Sequence, residues 1–219
     1  MPIKSFPDVK YADPETGLIA VGGDISVESL LLAYKNGIFP WPVSDEYLTW
    51  FTPPDRAILY TDKMHVSKSL KRYYNQNKFA YKINTNFLKV IESCALVSVR
   101  KEDSDTWITD EIIDAYYEFF KAGHAYSVES YLDKKLVGGF YGVIVNGFIS
   151  AESMFHFESN ASKLALYFFV ELLKKKNVGW IDFQVLNPFT ESLGAEEIER
   201  EKFIDLLSKE LKKSQLIIK

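Results

Sequence analysis

The sequence predicts an α/β chain on a mixed, largely antiparallel sheet, with a smaller unit at its N-terminal end. Three observations predict it. Asn146-Gly147 lies between two apolar runs, and an Asn-Gly pair so placed is the strongest two-residue hairpin signal. From Ala125 onward the apolar periodicity reads as three strands, a helix, a strand and a helix. Residues 1–60 are instead crowded with Pro, Gly and aromatics, the composition of a wall or lid rather than of an independent core. The expected division is therefore a small N-terminal domain over 1–60 and a larger one over 61–219.

The elements follow in order. Gly17 to Asp24 reads as a turn. Ser26 caps a helix over Val27–Asn36, which buries Leu30, Leu31, Ala33 and Tyr34 and ends at Gly37. Ile38-Phe39-Pro40-Trp41-Pro42 carries two prolines and is excluded from helix or inner strand. With Trp50-Phe51-Thr52-Pro53-Pro54-Asp55-Arg56 it is expected to form irregular, aromatic-lined loops. Residues 66–75 and 84–95 read as helices. Ile108–Ala122 reads as an amphipathic helix capped by Thr109 or Asp110, with Ile112, Ile113, Tyr116 and Phe120 among its apolar positions. Strands follow over Ala125–Leu132, Leu136–Val145 and Phe148–Phe155, joined by Asp133-Lys134-Lys135 and Asn146-Gly147. Asn160 is expected to cap a helix reaching Lys176. Trp180–Leu186 is a strand, and helices near Phe189–Leu193 and over Arg200–Lys213 finish the chain. This order is that of acetyltransferase-type folds, and no internal repeat interrupts it.

Composition narrows the classes. At 47% hydrophobic and 15% aromatic the chain can pack a core, and 11 Gly and 8 Pro in 219 residues argue against a long disordered tract. The single cysteine, Cys94, excludes a disulfide framework and suits a reducing compartment. It follows Val90-Ile91 in an apolar pattern and reads as core. Met1 to Asp8 shows no apolar signal segment, and the runs Leu136–Val145 and Leu164–Val170 fall far short of the ~20 residues a bilayer span needs. A soluble, cytoplasmic chain is expected. His65, His124 and His156 stand in no HExxH pattern, so no metal site is expected. A phosphate-cradling GxxxxGK[ST] loop and a G-x-S-x-G elbow are also absent from the sequence.

The net charge of −4 hides an asymmetry. Residues 63–91 hold Lys63, Lys68, Lys71, Arg72, Lys78, Lys82 and Lys89 and no acid, leaving 19 basic against 30 acidic residues elsewhere. Such a tract is a candidate phosphate footprint, and the interleaved Tyr73, Tyr74, Phe79 and Tyr81 can stack on bases. A solvated helix face with ordinary core aromatics fits the same pattern.

Chemistry is expected where folding rules are broken. Trp180-Ile181-Asp182-Phe183-Gln184-Val185-Leu186 reads as a buried strand yet carries Asp182 and Gln184, two apart and so on one face. Phe148-Ile149-Ser150-Ala151-Glu152-Ser153-Met154-Phe155 carries Glu152. Burying an unpaired carboxylate costs several kcal/mol, so the three side chains suggest a shared cluster able to hold and deprotonate a nucleophile. A satisfied polar network that only fixes sheet register is the alternative. The Gly-rich turn by which acetyltransferases hold coenzyme A is replaced by Glu158-Ser159-Asn160-Ala161-Ser162-Lys163. Another acyl donor is then needed, and the basic tract suggests one that ends in RNA.

Ordered blocks carry a family resemblance. They are Gly17-Leu18-Ile19-Ala20-Val21-Gly22-Gly23-Asp24, Ala33-Tyr34-Lys35-Asn36-Gly37-Ile38-Phe39-Pro40-Trp41, Trp107-Ile108-Thr109 and Leu136-Val137-Gly138-Gly139. Further along stand Glu152-Ser153-Met154-Phe155, Asn160-Ala161-Ser162-Lys163, Ile181-Asp182-Phe183-Gln184-Val185 and Ser192-Leu193-Gly194-Ala195. Together these resemble the leucyl/phenylalanyl-tRNA–protein transferases from about residue 15 to about residue 204. The resemblance implies a small N-terminal domain on an acetyltransferase-like C-terminal domain, acting as a monomer without a cofactor. It implies transfer of Leu or Phe from aminoacyl-tRNA to the free N-terminal amine of proteins beginning with Arg or Lys, feeding N-end-rule degradation, and an apolar pocket is expected to admit Met as well. It implies Glu152, Asp182 and Gln184 as the catalytic cluster, and Phe140, Ile149, Met154, Leu166, Phe169 and Ile181 as the amino-acid pocket. Trp41, Trp107 and Tyr116 are implied around the terminal adenosine, and Lys68, Lys71 and Arg72 in the tRNA-binding cluster.

Ala151, His156, Phe183, Phe140 and Ile149 depart from the family's usual residues, which bears on the choice between Leu and Phe. Ile149 and Glu152 are three apart and face opposite sides of a regular strand, so a bulge is needed if both serve one site. The expected chemistry is aminolysis of an ester, with Gln184 accepting from the amine, Asp182 polarising Gln184 or taking the proton directly or through a water, and Glu152 positioning the amine or stabilising the developing ammonium. Two other readings remain at this point: a tRNA-dependent transferase acting on cell-wall peptides, which usually carries two such units in a longer chain, and a non-enzymatic RNA-binding module using residues 63–91.

Overall fold

The computed structural model describes residues 2–42, 47–99 and 107–218. The chain opens with β1 (Leu18–Val21), α1 (Val27–Lys35), β2 (Phe39–Pro40), β3 (Thr49–Phe51) and β4 (Asp55–Tyr60). Ser26 caps α1, and Asp24 accepts from the hydroxyls of Ser26 at 2.7 Å and Ser29 at 2.6 Å. Then come α2 (Lys68–Asn75), β5 (Ala80–Ile83), α3 (Phe87–Val99) and α4 (Asp110–Lys121), followed by β6 (Ala125–Leu132) and β7 (Lys135–Val145). The rest is β8 (Phe148–Ile149), β9 (Ser153–His156), α5 (Ala161–Lys175), β10 (Trp180–Gln184), α6 (Pro188–Ser192), β11 (Glu196–Glu199) and α7 (Arg200–Leu211).

Among the described residues the strands form three antiparallel sheets, ordered β1-β3-β2, β10-β4-β11 and β5-β6-β7-β8, with β9 also on β7. A parallel bridge between Ser150 and Asp182 ties the third sheet to the second. The α/β class and the antiparallel meander at 125–149 are those read from the sequence. β4 lies inside the stretch expected to be a separate N-terminal domain, yet its partners are β10 and β11. One continuous core packs α1 and Trp50 of β3 against α3, α4 and one face of β7. The other face of β7, with Phe140 and Ile144, packs against α5 and β10.

Several expectations are corrected. Leu18–Val21 is strand rather than turn, and Trp50 to Arg56 is mostly strand, in β3 and β4, rather than loop. Those strands are too short or too rich in Pro and Gly to show a period. β5 and β11 have no apolar alternation to mark them: both are half-exposed, and β11 reads Glu-Glu-Ile-Glu. Asn160 makes no side-chain cap; its backbone is left-handed, at φ 68°. The expected strand Phe148–Phe155 is interrupted at 150–152. Between Ile144↔Ile149 and Tyr141↔Ser153 the register with β7 changes by one residue, a bulge. Ile149 and Met154 therefore share the α5-facing side although they are five apart. Gly142 makes the bulge possible: a Cβ there would lie 1.9 Å from the Ser150 carbonyl oxygen.

Candidate active site

The bulge delivers Glu152 to β10. Ala151 N–H donates to the Asp182 carbonyl at 2.8 Å, and Glu152 N–H donates back to the Tyr141 carbonyl at 2.9 Å. β10 is itself irregular: its register with β4 shifts between Asp182 and Gln184, and Gln184 sits at φ 59°. A left-handed glutamine stores strain of order 1–3 kcal/mol, which the surrounding structure must enforce. The result brings the two side chains together. Gln184 Nε2 donates to Glu152 Oε1 at 2.7 Å, and Ser150 Oγ donates to the same oxygen at 2.5 Å. Gln184 also lines the first of the two cavities described below.

Asp182 is engaged differently. Arg56 Nε donates to Oδ1 at 2.8 Å and Nη2 to Oδ2 at 2.7 Å. Oδ1 also accepts from Gln184 N–H at 2.9 Å. Arg56 Nη1 reaches the Gly37 carbonyl at 3.0 Å, and its guanidinium lies between the rings of Phe39 and Phe203. Both partners are sealed, at 1% and 0% side-chain exposure. Asp182 thus touches Gln184 through the backbone, not the side-chain amide. The expectation that it polarises that amide or takes a proton is corrected: both carboxylate oxygens are committed.

Glu152 is set apart by its titration. Burial, with a smaller push from Asp182, holds its carboxyl up at about 7, against the pull of Ser150, Tyr34 and Arg56. It lines two cavities. The first, about 210 Å³, is walled by Phe39, Pro40, Trp41, Trp107, Gln184 and Val185 among others. The second, about 360 Å³, is walled by Val97, Ala151, Met154, His156 and Phe189 among others. Phe183 and Asn187 join Glu152 in lining both.

The other expected residues divide. Trp41 and Trp107 flank the first cavity. Tyr116 does not: it is fully buried, its hydroxyl 2.5 Å from that of Tyr34, so contact with an entering adenosine is excluded in this geometry. That role is implied by the family resemblance alone; the helix pattern places Tyr116 among the apolar positions, and here it faces the core. Phe140, Ile149, Leu166, Phe169 and Ile181 form one apolar cluster with Met154 at its edge, but only Met154 lines either of these two cavities. Lys68, Lys71 and Arg72 lie exposed on α2, without an ion-pair partner among the described residues. Lys63 and Lys89 are paired, with Glu196 and Glu92. The nearby aromatics pack on each other, Tyr74 on Tyr81 at 5.6 Å and Tyr81 on Phe168 at 5.0 Å. Arg56, Tyr34 and Ser150 join the site although no strand pattern marks them. A buried aspartate demands a cation, and that demand is the one signal in the sequence that points to Arg56 in its aromatic block.

The family model for leucyl/phenylalanyl-tRNA protein transferase matches residues 58–208, and the model for that family's N-terminal domain matches 23–54. The chain belongs to the leucyl/phenylalanyl-tRNA–protein transferase family. A family relative from Pseudoalteromonas atlantica, bearing that name, is 43% identical over 209 residues, covering 94% of this chain and 88% of its own. A transferase of the same name from Flavobacterium johnsoniae is 44% identical over 202 residues, covering 92% and 94%. The activity is therefore leucyl/phenylalanyl transfer from tRNA to protein. Solved structures with partial likeness include L-PGS from Bacillus licheniformis, at 13% identity and TM-score 0.43, covering 84% of this chain and 69% of that one. An aminoglycoside acetyltransferase from an uncultured soil metagenomic sample matches at 12% identity and TM-score 0.38, covering 66% and 95%. Among the described residues no helix is long and apolar enough to cross a membrane, and no cluster of metal-ligating groups occurs.

Proposed function

We propose that Leu, Phe or Met passes from its tRNA to the free N-terminal amine of cytoplasmic proteins beginning with Arg or Lys, feeding N-end-rule degradation. The observation that carries the chemistry is Glu152, shared between two cavities and hydrogen-bonded to Gln184. The terminal adenosine enters between Trp41 and Trp107. The donor side chain lies toward Met154, Ala151 and Phe183, the apolar side of a cavity that Glu152, Ser153, His156, Asn187 and Thr190 also line; against those three residues a charged side chain would stand unpaired. The acceptor class rests on the family resemblance.

In this reading the Gln184 amide oxygen accepts from the acceptor amine and aims its lone pair at the ester carbonyl. The C–N bond forms, Glu152 takes the amine proton, the C–O bond to the ribose breaks, and Glu152 returns the proton to the leaving ribose oxygen. An α-amino group of pKa about 7.7–8.0 is partly neutral at pH 7, so orientation matters more than base strength. Asp182 and Arg56 hold the strained turn at Gln184 and touch no substrate. Lys68, Lys71 and Arg72 meet the tRNA backbone.

The test is transfer of labelled Leu from Leu-tRNA to a peptide beginning in Arg, beside one beginning in acetylated Arg and one beginning in Asp. Transfer to the free Arg amine alone supports the proposal. Equal transfer to the Asp peptide overturns the acceptor class, and transfer to the acetylated peptide overturns the chemistry.

A further inference from the structure

The bulge that delivers Glu152 also rearranges the ladder behind it. Continuing the register Ile144↔Ile149 by one residue sets Val143 opposite Ser150. One half of that pair is regular: Ser150 N–H donates to the Val143 carbonyl at 2.9 Å. The other half is not. A regular pair would offer the Ser150 carbonyl to Val143 N–H, but here that carbonyl accepts from the Tyr126 hydroxyl at 2.8 Å. Val143 N–H donates instead to the Ser150 hydroxyl at 3.2 Å. Ser150 is fully buried, so its hydroxyl is held from behind by backbone. A hydroxyl has one proton to give. Ser150 Oγ gives it to Glu152 Oε1, at 2.5 Å. Gln184 Nε2 donates to the same oxygen at 2.7 Å. A carboxylate oxygen carries two lone pairs, and these two donors occupy both on Oε1.

We propose that Ser150 is a positioning residue for Glu152: locked by the Val143 N–H, its hydroxyl fixes the carboxylate with Oε1 toward Gln184 and leaves Oε2 to take the amine proton. The proposal rests on the reading of Glu152 as the base. Ser150 itself touches no substrate in that reading, since it is sealed and lines neither cavity, whereas Glu152 lines both. With Oε1 bound on both sides, the proton has one address, from which it passes on to the leaving ribose oxygen. Alanine at 150 would leave Val143 N–H without this partner and the carboxylate without its shortest hydrogen bond. The ionisable groups around Glu152 leave its titration readable. Asp182 on β10 and Arg56 on β4 are committed to each other. Tyr34 of α1, Tyr116 of α4, Tyr126 of β6 and Tyr141 of β7 are buried, and burial drives their ionisation well above the usual phenol range. His156, on the wall of the second cavity, is common to the parent and the variants.

The experiment is a carbon-13 NMR titration of the Glu152 carboxyl in the full chain, its resonance assigned by its loss in Glu152→Gln. The variants are Ser150→Ala, which removes the hydroxyl, and Ser150→Cys, which keeps a side chain of similar shape but donates weakly. The pH profile of single-turnover transfer is measured beside them. Losing a donor to the charged form raises the titration point, by about 1 pH unit in Ser150→Ala and by less in Ser150→Cys. A folded Ser150→Ala whose Glu152 titrates as in the parent chain overturns the proposal. Should Ser150→Ala fail to fold, Ser150→Cys decides: an upward shift supports the hold on the carboxylate and no shift overturns it. A carboxyl that shifts while the pH profile of transfer stays put supports that hold and removes Glu152 as the base, so the two readings fail separately.

Discussion

Arg56 grips Asp182 through both carboxylate oxygens, at 2.8 and 2.7 Å, and neither side chain is open to solvent. The pair joins β4 to the strand that carries Gln184. Removing one partner of a buried ion pair leaves an uncompensated charge and costs about 3–5 kcal/mol. Arg56→Ala is expected to lose that much in denaturant unfolding. Arg56→Lys keeps the charge but not the two-pronged grip, so it should be destabilised less while transfer still falls. Full activity in Arg56→Lys would mean that the turn at Gln184 does not depend on the grip.

The left-handed backbone at Gln184 separates strain from chemistry. Gly accepts φ 59° freely and Ala does not, so Gln184→Gly should be more stable than Gln184→Ala by about 1 kcal/mol. Both lack the amide proposed to orient the amine, and each should lose roughly 10²-fold in kcat. Thermal unfolding and turnover of the two variants, measured side by side, check this. Equal stability would show that the strained conformation is not kept in solution.

The raised Glu152 carboxyl also has a stability signature. Its folded value is about 7 against 4.5 for the free group, so between these values the folded chain holds a proton that the unfolded chain has lost. The stabilisation is complete below about pH 4.5 and disappears as the pH rises toward 7. Glu152→Gln has no such group, so its melting temperature relative to the parent should climb between about pH 4.5 and about pH 8. A difference that does not change with pH would place the carboxyl in an ordinary solvated setting.

Lys68, Lys71 and Arg72 sit exposed on α2, outside both cavities. Reversing their charge should weaken tRNA binding and reduce the slope of log affinity against log salt by about 0.7–0.9 for each phosphate that is no longer neutralised. Filter binding from about 50 to about 300 mM salt reads this directly. An unaltered slope would return the three to solvated surface.

The parts legible in the sequence are those whose cause is local. β6 and β7 are long, apolar and closed by turn residues, and α4 carries its own cap at Thr109. The polar intruders Glu152, Asp182 and Gln184 stand out because each breaks a strand pattern, and they do converge. What stays hidden depends on distant partners. Arg56 meets Asp182 across 126 residues of chain, and Tyr34 meets Tyr116 across 82. The bulge at 150–152 exists because Ala151 bonds to β10 while Glu152 bonds to β7, a competition that no single strand reveals. The five sealed members of the apolar cluster and Tyr116 are implied as site residues by the family resemblance alone; their own sequence pattern marks a buried face, not an opening.

The measurement that bears most directly on the account is the pH dependence of single-turnover transfer from Leu-tRNA to an Arg-beginning peptide, in the parent chain and in Glu152→Gln. Glu152 acts as base only when ionised, so the parent rate should rise through about pH 7 and then level. Glu152→Gln should be slower by about 10²-fold or more, and should retain only the dependence set by the amine itself. A Glu152→Gln variant that matches the parent in rate and in pH profile would contradict the account.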